Sequence, residues 1–282
     1  MNYNKISSFA KVNLSLNIIS RRSNGFHNIE SLVTFVKLFD EIKIRKISNP
    51  NHKISFSGRF SNGIESSNTI SKMLFLLDRN GILKNNKFQI KIKKNIPQKA
   101  GLGGGSMNAA SIIKYFINKK IITIPKNKII DLAYKVGSDI PLGLEKKNSV
   151  LLKNGKILRK DNKINYYVLI VKPNFHCSTK DIYSSVKKYS KSIYRKKNKF
   201  FFKNTNLINS KNDLEEVVFK KYPKALKLKN FLLSMPNTIF VRMTGSGSAI
   251  VAYFKSKKSS KIAEKFFKRK YKNYWCIKSK TI

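Results

Sequence analysis

Residues 97–106 read Pro-Gln-Lys-Ala-Gly-Leu-Gly-Gly-Gly-Ser, and this glycine-rich stretch is the starting point for predicting the fold. Glycine lacks the side chain that would keep a backbone away from a ligand. A strand pattern around Phe88 precedes the stretch, and a helical run beginning near Ala109 follows it. Backbone N–H groups just before a helix, aided by the helix dipole, form a site suited to phosphate groups. The stretch therefore predicts a phosphate-binding loop between a strand and a helix.

Two other kinds of glycine-rich loop do not fit this stretch. A Walker A loop requires a lysine directly before its Ser or Thr, whereas Gly105 precedes Ser106 here. A dinucleotide-binding fingerprint requires an acidic residue about 20 positions further on, whereas the first acidic residue after the loop is Asp131. The remaining alternative is a flexible turn that binds no ligand.

Hydrophobic periodicity around the loop predicts a mixture of strands and helices. Predicted strands cover residues 12–19, 32–44, 88–92, 165–171, 239–243 and 249–254, and predicted helices cover residues 68–79, 109–117, 126–136 and 262–267. Strands and helices follow each other without a regular βαβ rhythm, which predicts an α+β fold. The pattern changes near residue 150, and we predict two domains, residues 1–152 and 153–282.

The composition indicates a globular protein without a membrane span or a structural metal. Of 282 residues, 41% are hydrophobic, and the longest apolar runs, such as Tyr166–Val171, are far too short to cross a bilayer. No secretory signal precedes the first strand pattern, so we expect a cytoplasmic location. Cys177 and Cys276 lie far apart and the histidines lack ligand spacing, which argues against a disulfide framework or a zinc site.

The formal net charge of +45 allows two interpretations. Clustered lysines and arginines would indicate binding to nucleic acid or to a membrane surface, because they neutralise phosphates. The basic residues are instead spread along the whole chain, within stretches rich in Lys, Asn and Ile such as residues 84–87 and 126–130. This distribution favours an A+T-rich coding bias, and we expect neither a specific nucleic-acid partner nor a membrane partner.

Acidic residues number only 14, so the setting of each one is informative. Asp139 lies in Gly137-Ser138-Asp139-Ile140-Pro141, immediately after a predicted helix. An Asp shortly before a Pro commonly starts a helix, which predicts an N-cap. The functional alternative is a carboxylate that accepts the proton of an alcohol. The two interpretations are compatible.

Two further segments combine polar or small residues with strands. Lys11 begins an apolar strand and shares a face with Asn13, so it is either a solvated lysine or a buried ammonium that stabilises charge during phosphoryl transfer. Thr244–Ser248 reads Thr-Gly-Ser-Gly-Ser between two predicted strands. This segment predicts a tight hairpin or a second loop that contacts an anion, since small residues permit close approach to a ligand in both cases.

The order of these motifs resembles that of the GHMP kinases, the galactokinase, homoserine kinase and mevalonate kinase family. The matching segments are Ser8–Leu14, Gly101–Ser106, Gly137–Pro141 and Thr244–Ser248, so the resemblance covers nearly the whole chain. The resemblance implies a two-domain α+β fold with a ribosomal-protein-like N-terminal domain and a ferredoxin-like C-terminal domain. It also implies a small-molecule kinase that uses ATP as phosphoryl donor.

The resemblance further implies roles for individual residues in phosphoryl transfer. Asp139 would be the catalytic base or would orient the acceptor hydroxyl, and Lys11 would stabilise the developing charge. Mg²⁺ would bridge the ATP phosphates, with Ser106 as a plausible ligand. The residues implied to bind ATP are Asn68, Pro97, Gln98, Lys99, Ala100, Gly101, Leu102, Gly103, Gly104, Gly105 and Ser106.

Within the family, Asn24-Gly25-Phe26-His27 resembles the segment that recognises cytosine in kinases with a cytidine-diphosphate-linked acceptor. Phe26 would stack on the base, His27 would hydrogen-bond its polar edge, and Tyr183 would supply a second aromatic ring. Residues 212–215 (Asn-Asp-Leu-Glu) match a further element of these kinases. The residues implied to bind this acceptor are Asn13, Phe26, His27, Thr179, Tyr183, Gly245 and Ser246.

Four positions depart from the residues that are common in these kinases. Phe9 replaces a frequent proline, Phe26 replaces a common tyrosine, and Gly143-Leu144 stands where aromatic residues commonly follow the Asp-x-Pro element. These changes retain the residues proposed for the chemistry but alter the expected local shape.

The resemblance implies ATP-dependent phosphorylation of the 2-hydroxyl of a cytidine-diphosphate-linked methylerythritol in the non-mevalonate isoprenoid pathway. The small molecules expected as partners are this acceptor and ATP, and the enzyme would act as a monomer or a homodimer. Another GHMP kinase, of the homoserine or mevalonate type, is the nearest alternative. A basic RNA-binding module is a second alternative, but it assigns no role to the glycine loop or to Asp139.

Overall fold

The computed structural model describes residues 2–194 and 201–282. Its strands are β1 (Asn4–Arg21), β2 (His27–Ile47), β3 (Lys53–Ser57), β4 (Lys87–Lys93), β5 (Asn148–Leu151), β6 (Ile157–Lys160), β7 (Tyr167–Lys172), β8 (Phe240–Met243), β9 (Ile250–Phe254) and β10 (Trp275–Lys280). Its helices are α1 (Thr69–Arg79), α2 (Gly104–Asn118), α3 (Lys126–Val136), α4 (Ile140–Gly143), α5 (Thr179–Ser184), α6 (Asn204–Asn209), α7 (Leu214–Lys221), α8 (Pro223–Leu233) and α9 (Lys257–Lys270). Every predicted strand and helix is present, and the α+β prediction is confirmed.

The first strand differs from its prediction in one respect. Alternation of apolar and polar residues predicts a strand with one face in water, yet both faces of β1 are buried between Ala10 and Ile18. Polar Asn13, Ser15 and Asn17 are as inaccessible as their apolar neighbours. The polar face is buried because other polar groups cover it, including the Thr244 and Tyr194 hydroxyls. This strand therefore carries polar side chains inside the protein.

The chain divides into two compact units that are discontinuous in sequence. The first unit contains Met1–Ala10, Leu38–Gln98 and Gly103–Lys146, and the second contains Lys11–Lys37, Lys99–Leu102 and Lys147–Ile282. A single cut between residues 152 and 153 does not separate these units, because residues 11–37 and 99–102 cluster with the C-terminal segment.

The first unit is a sheet covered by helices. Its β4 pairs in parallel with β3 and antiparallel with the C-terminal half of β2. Alternate residues of these strands, such as Ile42 and Ile90, are fully buried. They share a core with Met73 of α1, Phe116 of α2 and Ala133 of α3. This core holds the start of α2, where the glycine-rich stretch becomes helical.

The second unit contains an antiparallel sheet in the order β10-β7-β9-β8. Its β7 and β9 are buried almost throughout. The core of this unit includes Val171 and Ala252 from the sheet, Leu228 from α8 and Phe267 from α9. In the same unit, the N-terminal half of β2 pairs with β5, which pairs with β6. Among the described residues, no helix is both long enough and apolar enough to span a membrane.

Candidate active site

The glycine-rich stretch has a backbone that only glycine readily adopts. Gly101 and Gly103 have φ values of +73° and +69°, in the left-handed region. A Cβ added to Gly101 would lie 1.9 Å from the backbone oxygen of Thr244, so no larger residue fits there. Gly103 is the N-cap of α2, and no side chain caps this end of the helix within the described residues. The first amides of α2 are thus left for another partner, as a phosphate-binding loop requires.

The residues predicted to bind ATP differ in what their side chains offer. Pro97, Ala100 and Leu102 are buried, so their contribution to a ligand is limited to the backbone. The side-chain nitrogen of Gln98 donates to the carbonyls of Phe60 and Asn62, both at 2.8 Å. Lys99 is exposed, as a cation that approaches an anionic ligand would be.

Asn68 has a structural role at the start of α1. Its Oδ1 accepts from the amides of Ile70 at 3.0 Å and Ser71 at 3.1 Å, and the Ser71 hydroxyl accepts from the Asn68 amide. Its Nδ2 donates to the carbonyls of Glu65 and Ser66. A capping box accounts for these side-chain atoms, and a contact between Asn68 and adenosine stays a prediction.

Asp139 occupies the N-cap position of α4, yet it does not cap that helix. Its side chain makes no hydrogen bond to the amides of α4, all of which lie in the described part of the chain. A Cβ added to Gly137 would lie 3.9 Å from Ser106 Oγ, so the segment before Asp139 passes the first turn of α2. The N-cap position is confirmed, but helix capping does not explain the carboxylate.

Packing explains the glycine at position 143, where the resemblance leads us to expect an aromatic residue. A Cβ added to Gly143 would lie 2.6 Å from the Cβ of Ala110 and 2.9 Å from the sulfur of Met107. The short helix α4 therefore packs directly against α2. This close packing fixes the position of the Asp139 segment relative to the glycine-rich stretch within the first unit.

In the second unit, Lys11 is a buried ammonium. Only 4% of Lys11 is exposed, and its Nζ donates to Asn13 Oδ1 at 2.7 Å. Asn13 Nδ2 donates to Ser31 Oγ at 2.8 Å, which fixes the orientation of the amide. The prediction that Lys11 and Asn13 share a face is confirmed, and the solvated-lysine alternative is wrong.

In the same unit, hydrogen bonds connect β1 to the glycine-rich stretch 97–106 and to the segment Thr244–Ser248. The Lys11 amide donates to the Leu102 carbonyl at 3.1 Å, and the Asn13 amide donates to Thr244 Oγ1 at 3.0 Å. Thr244 Oγ1 lies 3.1 Å from the Gly101 carbonyl, to which it can donate. Residues Lys11, Asn13, Gly101, Leu102 and Thr244 form what we call the closed network.

The structure confirms one of the two interpretations of the Thr244–Ser248 segment, the hairpin. It joins the antiparallel strands β8 and β9, so it is a hairpin connection. It also lies against the first glycine-rich segment, where the Ala249 amide donates to the Ala100 carbonyl at 3.3 Å. Asn212 Nδ2 holds the hairpin by donating to the carbonyls of Met243 and Gly245. Contact with an anion stays a prediction.

Residues predicted to bind the acceptor fall into two groups of the second unit. Ser246, two residues after Thr244 of the closed network, has its Oγ 2.9 Å from Thr179 Oγ1. The rings of His27 and Tyr183 have centroids 5.4 Å apart. Phe26 is 71% exposed. Burial lowers the pKa of His27 below its usual value, with the positive charge of Arg21 as the second cause, so the imidazole is neutral at pH 7.

One buried cluster near the glycine-rich stretch escaped prediction. Asp40 is fully buried and accepts from the amides of Asn95 at 2.7 Å and Ile96 at 2.8 Å. It also accepts from Asn108 Nδ2 and pairs with the buried ammonium of Lys94. The cluster ties the residues before Pro97 to α2. The available signal was Asp40 itself, an acid that follows Leu38 and Phe39 within the predicted strand 32–44.

Comparison with known proteins identifies the family of two segments of the chain. Residues 68–144 match the family of GHMP kinase N-terminal domains, and residues 201–273 match the family of GHMP kinase C-terminal domains. A 4-diphosphocytidyl-2-C-methyl-D-erythritol kinase of Pelagibacter ubique is 51% identical over 282 residues, which is all of both chains. A kinase with the same name from Anaplasma marginale is 30% identical, across 96% of this chain and 94% of its own.

Solved structures share the fold. The crystal structure of a 4-(cytidine 5'-diphospho)-2C-methyl-D-erythritol kinase superposes with a TM-score of 0.79 at 19% identity, across 99% of this chain and all of its own. A homoserine kinase from Cytophaga hutchinsonii superposes with a TM-score of 0.70 at 17% identity, across all of this chain and 95% of its own.

Proposed function

This chain belongs to the GHMP kinase family, and from that membership we propose that it phosphorylates the 2-hydroxyl of 4-diphosphocytidyl-2-C-methyl-D-erythritol with ATP. The acceptor is the one in the name of the relative that is 51% identical over the full length. The structural observation that carries the proposal is the buried Lys11 ammonium, held by Asn13 on a strand whose backbone bonds to the glycine-rich stretch at Leu102. A cation in that setting suits the transfer of a phosphoryl group.

Asp139 and Lys11 divide the catalytic work in this proposal. Asp139 accepts the proton of the acceptor hydroxyl or orients it, and Lys11 stabilises the charge on the transferring phosphoryl group. The transition state of phosphoryl transfer is loose, so positioning and charge stabilisation matter more than early deprotonation. A carboxylate that is a weak base is adequate for such a reaction.

The glycine-rich stretch supplies the ATP site. The amides at the start of α2, which no side chain caps within the described residues, favour phosphate oxygens, and the buried Pro97, Ala100 and Leu102 contribute backbone. Mg²⁺ binds most often through one or two protein ligands together with substrate phosphates. The half-buried Ser106, in the first turn of α2, fits that limited role. Within residues 2–194 and 201–282, no cluster of three His, Cys, Asp or Glu side chains could hold a metal ion.

The acceptor would be held at its two ends. Phe26, His27 and Tyr183 offer aromatic and hydrogen-bonding groups to the cytosine. Asn13, Thr179, Gly245 and Ser246 would contact the rest of the molecule. Small aliphatic acceptors such as homoserine and mevalonate need no aromatic surface, which is why the cytidyl compound is favoured over them.

A panel of acceptors tests the substrate. We expect ADP release with ATP and 4-diphosphocytidyl-2-C-methyl-D-erythritol, and little or none with homoserine, mevalonate or galactose. Turnover of one of these three, without turnover of the cytidyl compound, would overturn the assignment. RNA retention without any kinase activity would support the RNA-binding alternative instead.

Substitution of Asp139 tests the mechanism. Asp139→Asn should lower kcat by about 10² to 10⁴, the range for loss of a positioned acid or base, while nucleotide affinity changes little. The matched control is Asp131→Asn, an exposed acid on α3 of the same unit, which should leave kcat unchanged. A near-normal kcat for Asp139→Asn would leave this residue with a structural role only.

A further inference from the structure

A second tyrosine adjoins His27, and neither the family motifs nor the roles above include it. The ring centroid of Tyr189 lies 6.3 Å from that of His27, with an interplanar angle of 39°. Tyr183 lies on the same imidazole at 5.4 Å and 44°. Tyr189 is 47% exposed. Phe26, which directly precedes His27 in the sequence, is also exposed. We call Phe26, His27, Tyr183 and Tyr189 the aromatic patch.

Tyr189 belongs to an irregular segment that buried groups hold in place. Residues 186–194 form neither helix nor strand. The Ser190 amide, directly after Tyr189, donates to the Ile18 carbonyl of β1 at 2.7 Å. Irregular segments are usually the more mobile part of a protein. The segment 186–194 is instead tied to the buried strand β1 by a hydrogen bond of the residue that follows Tyr189.

A buried carboxylate provides the stronger anchor. Glu30 of β2 is fully buried, and it accepts from Ser192 Oγ at 2.6 Å, the Ile193 amide at 3.0 Å and the Tyr194 amide at 3.2 Å. Hydrogen bonds to an ionised acceptor are stronger than bonds between neutral groups. Tyr194 continues into the protein, where its hydroxyl lies 2.6 Å from Ser15 Oγ.

An anchored segment with an exposed ring suits ligand binding. A buried carboxylate is costly unless its oxygens are hydrogen-bonded, so Glu30 favours the single backbone arrangement that supplies its three donors. That arrangement sets Tyr189 beside His27. A tyrosine held in this way offers a large apolar face at little cost in conformational entropy. Aromatic groups that lie together and stay at least partly accessible, as His27, Tyr183 and Tyr189 do, indicate a binding surface more often than scattered ones do.

We propose that Tyr189 is a specificity-determining residue for the nucleobase of the acceptor and that Glu30 is its positioning residue. The inference rests on the proposed function, because it assumes a cytosine at the aromatic patch. Tyr189 contacts the base, whereas Glu30 acts through residues 190–194. The ligand chemistry is that of a nucleoside diphosphate, in which the ring binds the base and leaves the diphosphate to other groups.

Substitution of Tyr189 tests its contact with the base. Tyr189→Ala should raise the acceptor KM by roughly tenfold, within the range for loss of one base–aromatic stack, and leave the ATP KM unchanged. Tyr189→Phe retains the ring and should stay near the wild-type value. The control is Tyr134→Ala, which removes a tyrosine of comparable exposure from α3 of the first unit and should change neither KM.

Inhibition identifies which part of the acceptor is recognised. Cytidine 5'-diphosphate should compete with the acceptor, and Tyr189→Ala should weaken this inhibition by a similar factor. Inhibition by pyrophosphate, which has no base, should be the same in both proteins. Equal weakening for both inhibitors would contradict recognition of the base by Tyr189.

Non-additivity tests the role of Glu30. Glu30→Gln removes the charge at constant size and should raise the acceptor KM while kcat and the ATP KM stay close to wild type. In a Tyr189→Ala background the same change should have little further effect, since both substitutions act on one contact. Ser192→Ala removes a single donor to Glu30, and it provides the same comparison if Glu30→Gln folds poorly.

The outcomes separate the inference from the function beneath it. If the wild-type protein does not phosphorylate the cytidyl acceptor, the proposed function and this inference both fail. If it does so while Tyr189→Ala keeps a normal acceptor KM, only the inference is overturned. Additive effects of Glu30→Gln and Tyr189→Ala would remove Glu30 from its positioning role.

Discussion

The closed network and the aromatic patch lie in the same unit and differ in almost every physical respect. Lys11 and Thr244 of the closed network are 4% and 0% exposed, whereas Phe26 of the aromatic patch is 71% exposed. The network consists of polar groups whose hydrogen bonds link distant parts of the sequence. The patch consists of four rings, and one of them, Tyr189, belongs to the segment that Ile18 and Glu30 hold by hydrogen bonds.

This difference corresponds to two different tasks. Charge stabilisation during phosphoryl transfer needs groups fixed to within a fraction of an ångström, in a setting with few competing waters. Recognition of a base by stacking needs an accessible aromatic face beside the base, and every base offers a π-face to it. We therefore expect changes in the closed network to lower stability and kcat together, and changes in the aromatic patch to act mainly on the acceptor KM.

The largest expected effect comes from adding one methyl group to the closed network and, for comparison, one directly before the aromatic patch. Gly101→Ala would place a Cβ 1.9 Å from the Thr244 carbonyl oxygen, at a residue with φ of +73°. Gly25→Ala, before Phe26, has a similar φ of +82° but no atom within 4 Å of the added Cβ. Only Gly25→Ala allows the new methyl group to remain in open space, so the two variants differ in packing and share the backbone penalty.

We expect Gly101→Ala to lose about 4 kcal/mol or more of unfolding free energy, together with activity. Gly25→Ala should lose about 1–2 kcal/mol, the cost of a left-handed alanine, and remain active. Urea unfolding and ADP release measure both. Gly63→Ala, at φ of +73° with nothing within 4 Å, is a second control that should behave like Gly25→Ala. Equal losses in all three would mean that the closed network is not tightly packed.

A smaller effect should follow from removing one side-chain amide from the closed network and, for comparison, one from the turn before the aromatic patch. Asn13→Ala deprives the Lys11 ammonium and the Ser31 hydroxyl of a buried partner. Asn24→Ala removes an exposed side chain whose Oδ1 accepts from the Phe26 amide at 3.2 Å. Because an unsatisfied buried group costs about 1–3 kcal/mol, Asn13→Ala should lose that much stability and also reduce kcat. Asn24→Ala should change both only slightly. Comparable effects of the two would contradict the distinction between the regions.

How far the sequence predicts each region depends on the range of its contacts. Composition and local pattern predict the loop around Gly101 and the N-cap position of Asp139. Periodicity predicts β1, but it cannot show that Thr244 and Tyr194, more than 170 residues away, cover its polar face. The alternation of apolar and polar residues therefore predicts the strand β1 correctly, but it predicts the exposure of its polar face incorrectly.

The anchored segment illustrates the same limit. Residues 190–194 carry no periodic pattern, and their order comes from Glu30, which is 162 or more residues earlier in the chain. The Asp40–Lys94 pair is likewise formed across 54 residues. An acid in an apolar strand indicates a buried partner without identifying it. Motif order identifies the family, whereas such long-range polar contacts require coordinates.

The smallest expected effect is a pH dependence in the aromatic patch. Burial, and secondarily the charge of Arg21, lowers the pKa of His27 in the folded protein. At pH values between the lowered pKa of the folded protein and the ordinary value near 6.5, the unfolded chain binds a proton at His27 that the folded protein does not bind. The contribution of His27 to stability is therefore fully present above about pH 6.5 and is lost as the pH falls through its folded pKa.

Urea unfolding of the wild type and of His27→Gln at pH 7.5 and pH 5.5 measures this effect. The wild type should lose more stability than His27→Gln between the two values, because glutamine does not titrate. His52 also has a pKa lowered mainly by burial, but it is present in both proteins and cancels from the comparison. The effect should be small, since the patch is only partly buried. A relative gain by the wild type at pH 5.5 would mean that a negative group, and not burial, dominates the surroundings of His27.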